Sequence, residues 1–331
     1  MSSEITSDDI LATGDAIALR RVRGFHVGGH AVDLHGLPPR TIETVPGEPA
    51  RGSDPNGRYL VGQLYAQYFE QARPSHPTPL LFWHGGGMTG ATWEDTPDGR
   101  PGWHDHFMRL GFHTCVSDAV ERGRASWAPY PDITPLPPEH RTLEQAWSIF
   151  RFGPNGGRNG AIHPGMRFPS EYGEQLARQF VARWTCNTTA TVAAYGDLLR
   201  RFGRSIVIAH SEGARHAAQL AATMPETIAA LVLIEPAGAP PVDGVAALRA
   251  AKVPHLVVWG DHFDYSDLWR RYRSAAEHWL SRLGAAQGRV DTLDLPAMGI
   301  SGNSHLLMMD DNAAEIAAMV AAWIRARLPL E

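Results

Sequence analysis

The chain has 331 residues, of which 44% are hydrophobic and 20% are charged, the usual balance of a folded globular protein. This composition excludes a disordered, collagen-like or coiled-coil chain as a description of the whole. The formal net charge of −5 provides no positive surface for nucleic acid or for an anionic membrane.

The N-terminal residues and the cysteines bear on location. Residues 1–9 are polar and acidic and lack the apolar core of a signal peptide. No run of 18 apolar residues that could span a membrane occurs in the sequence. Cys115 and Cys186 are too few for a disulfide framework, and a bond between them is not expected. We therefore predict a cytoplasmic protein.

The first predicted elements are strands. Residues 17–34 are predicted to form a strand pair with Gly28-Gly29 at the turn, and residues 59–69 a further strand. Residues 79–83 form a short apolar run typical of a buried strand, which ends at a glycine-rich loop. A helix over 103–110 and a strand over 112–117 follow.

Residues 123–170 differ from the rest of the chain. They hold eight of the 25 prolines, interleaved with aromatic residues that linkers rarely carry. We predict an inserted lid with a short helix near 142–151, between core segments 1–122 and 171–331. Trp127 and Trp147 would give a pocket apolar walls, which favours substrates with a hydrophobic group; alternatively, such aromatics simply pack the insertion onto the body.

The C-terminal part alternates helices with short apolar strands. This alternation predicts a mainly parallel sheet covered by helices on both faces. The predicted helices cover 171–202 in two segments, 213–224, 266–284 and 311–327, and the predicted strands cover 204–210, 228–234, 254–259 and 290–295.

The sequence Ala209-His210-Ser211-Glu212-Gly213 lies between a buried strand and a helix, the position of a nucleophile elbow. The bend requires small residues two positions before and after the serine, and Ala209 and Gly213 meet this requirement. Ser211 would then begin a helix, where free N–H groups favour negative charge. A serine that only caps the helix is the simpler alternative.

The loop His84-Gly85-Gly86-Gly87 follows a predicted strand. Its glycines let backbone N–H groups approach a substrate oxygen, as one half of an oxyanion hole. We assign Gly86 as one donor, with Gly87 as an alternative, and the N–H of Glu212 as the other. His84, Gly87 and His210 are further candidates for the pocket.

Sixteen histidines compete for the general base. His305 follows the last predicted strand in a Gly/Asn/Ser loop, 94 residues beyond the serine (305 − 211). Two places compete for the acid that orients it. Glu235 ends the strand 228–234, whereas Asp261 and Asp264 follow the strand 254–259, and these residues leave the choice open.

The chain resembles the α/β-hydrolase superfamily and, within it, bacterial serine carboxylesterases. The resemblance rests on the motif from His84 to Gly90, on Trp93 and the run 96–103, on residues 118–124, and on the pairs His210-Ser211 and Glu235-Pro236. It implies an α/β-hydrolase fold, a Glu acid after the sixth strand, and so Glu235 rather than Asp264. It also implies His305 as base, and a homodimer. Some relatives carry a vicinal disulfide where this chain has Gly86-Gly87.

The leading hypothesis is hydrolysis of a small-molecule carboxylic ester by Ser211, His305 and Glu235 through an acyl-enzyme, without metal or organic cofactor. A second hypothesis keeps the triad but changes the bond to a lactone, amide, thioester or C–C bond. A third is a non-enzymatic binding protein of the same fold. The sequence places no buried Arg or Lys to bind a substrate carboxylate, and Arg124, Arg151 and Arg167 are candidates only because they lie in the predicted lid.

Overall fold

The computed structural model describes residues 16–241 and 243–328. Residues 1–9, from which the absence of a signal peptide is predicted, lie outside the described residues. None of the described helices combines the length and the apolar character needed to span a membrane.

An eight-stranded sheet forms the centre of the described chain. Its first three strands in spatial order pair antiparallel, and the pairs from β6 to β10 are all parallel. The mainly parallel sheet predicted from the sequence is thus confirmed. In spatial order its strands are β1 (Leu19–Leu34), β4 (Gly57–Gln71), β6 (Phe112–Asp118), β5 (His76–Trp83), β7 (Ser205–His210), β8 (Ile228–Ile234), β9 (His255–Trp259) and β10 (Val290–Asp294); β2 (Arg40–Ile42) and β3 (Arg51–Ser53) pair separately.

Helices cover both faces of the sheet because its central strands are apolar on both sides. In β7, Val207 and Ala209 face one core, whereas Ile206 and Ile208 face the other. The helices are α1 (Trp103–Arg109), α2 (Leu143–Ile149), α3 (Gly173–Ala177), α4 (Thr188–Phe202), α5 (Ser211–Thr223), α6 (Gly244–Ala250), α7 (Asp267–Ala285) and α8 (Ala313–Arg327).

The predicted strand pair over 17–34 is wrong, because β1 is one continuous strand paired with β4. Gly28 and Gly29 lie inside it at φ values of 76° and 86°. A Cβ on Gly28 would lie 2.9 Å from the Ala194 backbone, and one on Gly29 would lie 2.8 Å from the Val61 carbonyl. These glycines therefore allow close packing of α4 and β4 instead of making a turn.

The chain between β6 and α4 crosses above the carboxyl ends of the strands. The helix predicted near 142–151 is present as α2, which begins at a capping box made by Thr142 and Gln145. After α2 the chain is tied to the loop that carries His305: the N–H of His305 donates to the Phe150 carbonyl at 2.9 Å, and the N–H of Arg167 donates to the Gly302 carbonyl at 2.9 Å. The lid bounds 123–170 stay a prediction.

Candidate active site

Ser211 lies on a tight bend between β7 and α5. Its φ is 54°, a left-handed conformation that a non-glycine residue adopts only when its surroundings hold it there. Gly213 makes the bend possible, because a Cβ at this position would lie 2.5 Å from the His84 carbonyl oxygen. Ala209 is completely buried in β7. The bend presents a serine hydroxyl at the start of a helix, as the sequence predicts.

The glycine loop after β5 lies against this bend. A Cβ on Gly85 would lie 3.0 Å from the Ser211 Cβ. The ring of His84 holds the Gly85 carbonyl at 2.8 Å through Nδ1, while its Nε2 accepts the N–H of Ala119 at 3.0 Å. Because a trans peptide places C=O and N–H on opposite sides, fixing the Gly85 carbonyl also fixes the direction of the Gly86 N–H.

Arg141 orients the next peptide of the glycine loop in the same way. Its Nη1 donates to the Gly86 carbonyl at 3.2 Å, which orients the N–H of Gly87. His84 is neutral, since burial lowers its pKa and a ring nitrogen that accepts an N–H carries no proton. Neither role was predicted for these two residues from the sequence.

Glu235 and His305 lie together. The carboxylate Oε2 of Glu235 is 3.1 Å from Nδ1 of His305, and both side chains are buried. Because a carboxylate accepts hydrogen bonds, this contact places the ring proton on Nδ1 and leaves Nε2 as an acceptor. The alternative acids lie elsewhere: Asp261 accepts the N–H of His262 and of Gly302, and Asp264 is exposed.

Arg151 also binds the Glu235 carboxylate, a contact that the sequence does not predict. Its two terminal nitrogens each donate to one Glu235 oxygen at 2.9 Å, and both side chains have no exposed surface. The N–H of Gly260 donates to the same carboxylate at 2.5 Å. A charged and hydrogen-bonded partner offsets the cost of burying Glu235. Arg151 is therefore not available to a substrate carboxylate.

The other two candidate arginines are also occupied by protein carboxylates. Arg124 Nε donates to Asp118 at 2.8 Å, and Arg167 Nη1 donates to Asp311 at 2.9 Å. All three arginines that the sequence offers as candidates are therefore paired with protein carboxylates. The sequence showed only that they lie in the lid and could not show which carboxylates the fold brings to them.

The surroundings of His305 keep its ring neutral. Burial lowers its pKa well below 6.5, and the positive charges of Arg151 and Arg141 lower it further. The ring is enclosed by the indole of Trp269 at 3.9 Å and the ring of Phe150 at 6.0 Å between centroids. His210 holds the backbone, since its Nε2 donates to the His305 carbonyl at 3.0 Å. A neutral, oriented imidazole is ready to accept a proton.

Asp310 anchors the loop that carries His305. It accepts the N–H of Ser304 at 2.8 Å, the hydroxyl of Ser304 at 2.7 Å and the amide of Asn303 at 2.9 Å. Its complete burial raises its pKa to about 7. This network holds the residues directly before the imidazole.

The side chain of Glu212 lies beside the glycine loop, since its Oε2 would be 3.0 Å from a Cβ on Gly86. Its carboxylate accepts from Arg183 at 2.6 Å and lies 3.9 Å from Arg122. Despite burial, which acts the other way, these cations and His216 lower its pKa to about 2. The backbone N–H of Glu212 belongs to the first turn of α5, where N–H groups have no partner within the helix.

A cavity of about 980 Å³ borders the glycine loop at Gly87. Most of the residues that line it are polar or charged, and neither Trp127 nor Trp147, the predicted pocket aromatics, is among them. Trp147 lies in the interior of the lid, where its indole N–H donates to the Ala161 carbonyl, and Trp127 is 56% exposed and packs edge-on against Trp184. Within the described residues, no group of three or more His, Cys, Asp or Glu side chains is placed to hold a metal ion.

Comparisons with known proteins bear on the fold and on the activity. No family model matches the chain. A bacterial esterase of atomic-resolution structure superposes with a TM-score of 0.81 and 31% sequence identity, over 95% of this chain and 98% of the esterase. A probable secreted lipase of a fungal species, phiG, is 26% identical over 329 residues, covering 81% of this chain and 87% of the lipase. The chain therefore belongs to the α/β-hydrolase-fold family of that bacterial esterase and is a carboxylic-ester hydrolase.

Proposed function

We propose that the ester is cleaved by a Ser211–His305–Glu235 triad through an acyl-enzyme. Nε2 of His305 removes the Ser211 proton as Oγ attacks the ester carbonyl carbon, and Glu235 stabilises the imidazolium that forms. The N–H groups of Gly86 and Glu212 donate to the developing oxyanion. The imidazolium then gives its proton to the leaving alkoxide, and the alcohol departs.

Deacylation repeats these steps with water. His305 removes a proton from the water molecule as its oxygen attacks the acyl carbon, and the second tetrahedral intermediate collapses with return of a proton to Ser211. The products are the carboxylic acid and the free enzyme. The residues named here need no metal and no organic cofactor for this sequence.

The observation that carries the proposal is the contact of the His305 ring with the Glu235 carboxylate at 3.1 Å. It assigns the ring tautomer that a general base for a serine requires. Ser211 supports it independently, because its left-handed φ is a strained conformation of the kind found at catalytic serines on a strand-to-helix bend.

The Ser211→Ala variant tests the proposal. We expect the hydrolysis of p-nitrophenyl esters to fall by about 10³-fold or more, with an unchanged circular dichroism spectrum, since only the nucleophile is lost. A fluorophosphonate should label the wild-type protein once, and mass spectrometry of peptides should locate the label on Ser211.

The Ser281→Ala variant is the matched control, because that hydroxyl lies on α7 and donates only to the His278 carbonyl. It should retain full activity and labelling. Undiminished activity in Ser211→Ala, or a label on another residue, would contradict the proposal.

A further inference from the structure

The polar cavity beside Gly87 has an excess of positive charge at the glycine loop. Arg122, Arg141 and Arg183 gather around a single carboxylate, that of Glu212. Arg183 pairs with it at 2.6 Å and Arg122 lies at 3.9 Å. Arg122 is also attracted by the carboxylate of Glu121, so three guanidinium groups and two carboxylates leave a local charge of about +1 (3 − 2).

Arg141 is attracted by Glu212 but does not reach it in a direct ion pair. Among the described residues it forms no ion pair; its contacts are the Gly86 carbonyl and the face of Phe150, 5.0 Å from the ring centroid. Burial lowers the pKa of Arg141 to about 10. Repulsion from Arg183 and Arg122 acts in the same direction, and attraction to Glu212 opposes it. A partly desolvated cation in this position gains from any anion that enters the cavity.

The carboxylates of the cavity itself do not fill this role. Glu139 and Glu144 line the walls but are exposed, and neither forms an ion pair with Arg141. The Nε atoms of Arg122 and Arg183 are buried and, within the described part of the chain, have no hydrogen-bond partner. These two N–H donors therefore lie close to the positive charge of Arg141.

The charge lies close to the reacting centre. Arg141 and Arg183 both line the cavity. A Cβ on Gly86, the residue proposed as an oxyanion donor, would lie 3.1 Å from Arg183 Nε and 3.0 Å from Oε2 of Glu212, the carboxylate that pairs with Arg183. A substrate whose carbonyl sits at this loop can thus place a second group, a few bonds away, against these guanidinium groups. A carboxylate is the group that complements these guanidinium groups, because it is negatively charged and accepts two parallel hydrogen bonds from a planar donor.

We propose that the preferred substrates are esters that carry a carboxylate a few bonds from the scissile carbonyl, such as monoesters of short dicarboxylic acids, with Arg141 as the residue that recognises the carboxylate. The inference rests on the proposed function, since it takes Gly86 as part of the oxyanion hole. It replaces the hydrophobic substrate group expected from the lid aromatics.

The test compares two probes of nearly the same size and shape. Monoethyl glutarate carries a free carboxylate, and in the second probe this carboxylate is replaced by a neutral primary amide. We expect wild-type kcat/KM to be about 10- to 100-fold higher for the monoester, the range that a charge-assisted hydrogen bond contributes. The preference should weaken as salt is added. The succinate and adipate monoesters, with their amides, extend the test to other chain lengths.

The Arg141→Gln variant should abolish this preference, mainly through a higher KM for the monoester. Arg141→Lys should restore part of it, because a cation returns without the planar fork. Arg200→Gln is the matched control: Arg200 pairs with Asp197 on the surface of α4, and its loss should leave the preference unchanged.

Equal kcat/KM for monoesters and amides in the wild type would overturn the inference. So would an equal loss on both in Arg141→Gln, since Arg141 would then act only on the glycine loop. The Ser211→Ala variant in the same assay separates this failure from failure of the proposed function: neutral-ester hydrolysis that depends on Ser211 but shows no charge preference refutes only the carboxylate site.

Discussion

At the scale of single residues, the pairing of Glu235 with His305 makes a sharp prediction about the orienting acid. The Glu235→Gln variant should lose about 10⁴-fold in kcat, because an amide can donate to Nδ1 and favour the wrong ring tautomer. Steady-state kinetics on a neutral p-nitrophenyl ester measures this loss, and circular dichroism checks the fold.

Asp264→Asn is the control for this prediction, since Asp264 is the competing acid on sequence grounds and its side chain is exposed. Its kcat should equal that of the wild type. A large loss in Asp264→Asn with activity kept in Glu235→Gln would reverse the assignment of the acid.

Arg151 should influence the pH profile as well as stability. Its positive charge is one cause of the low pKa of His305, after burial. We expect the acid limb of kcat/KM to lie below pH 6.5 in the wild type and to move to higher pH in the Arg151→Met variant. The free energy of unfolding should fall by about 3–5 kcal/mol, because Glu235 loses its buried partner.

The double variant Arg151→Met/Glu235→Gln removes both buried charges and should recover part of this stability without recovering activity. Urea unfolding and pH–rate profiles measure the two effects. An acid limb that stays in place in Arg151→Met would show that Arg151 has no electrostatic effect on the base.

At the scale of elements, backbone contacts join the segment between α2 and α3, part of the predicted lid, to the loop that carries His305. A Cβ on Gly302 would lie 1.9 Å from the Gly165 carbonyl oxygen. Gly302→Ala should therefore separate the two segments and lower kcat about tenfold or more, with a loss of stability of about 1–3 kcal/mol. Enzyme kinetics and urea unfolding measure both effects.

Gly299→Ala is a close control, because it lies in the same segment at a φ of 82°, close to the 88° of Gly302, but has nothing within 4 Å of its Cβ position. It bears the same backbone strain without the clash. Equal effects of the two substitutions would mean that conformational strain alone, and not the contact with the lid, explains the result.

At the scale of the whole molecule, buried histidines control stability in acid. Burial lowers the pKa values of His104, His216 and His255 to about 4. Since their pKa values in the unfolded chain are near 6.5, unfolding takes up protons between these limits. The stability that these neutral rings contribute is complete above 6.5 and is lost as the pH falls towards 4.

Asp310 acts in the opposite direction. Its pKa of about 7 exceeds the unfolded value of 3.8, so its contribution is present below 3.8 and is lost as the pH rises through 7. We predict that the free energy of unfolding decreases from pH 6.5 to pH 4, and that Asp310→Asn makes this decrease steeper by up to about 1.4 kcal/mol per pH unit. Urea titrations across this range test it, and an unchanged slope in the variant would contradict it.

Much of the architecture could be predicted from the sequence. Strands such as 79–83, 204–210 and 228–234 are short apolar runs, and their alternation with helices permits few arrangements other than a covered parallel sheet. The strand pair over 17–34 failed because Gly28-Gly29 has the signature of a turn, and only packing against α4 shows another use for it. The cytoplasmic location and the homodimer stay predictions.

The sequence by itself determined the local chemistry: a serine between small residues after an apolar strand, a glycine loop after another, and a histidine before the last helix. Such features depend on neighbours in the chain and can be recognised there. Only the tertiary structure decided which distant groups meet. It placed Glu235 rather than Asp264 against His305, and it paired Arg151 with that carboxylate. Arg141 contacts the Gly86 carbonyl and forms no direct ion pair within the described residues. The physical reason is that the energy of a charge depends on distance and burial, which separation along the chain does not specify.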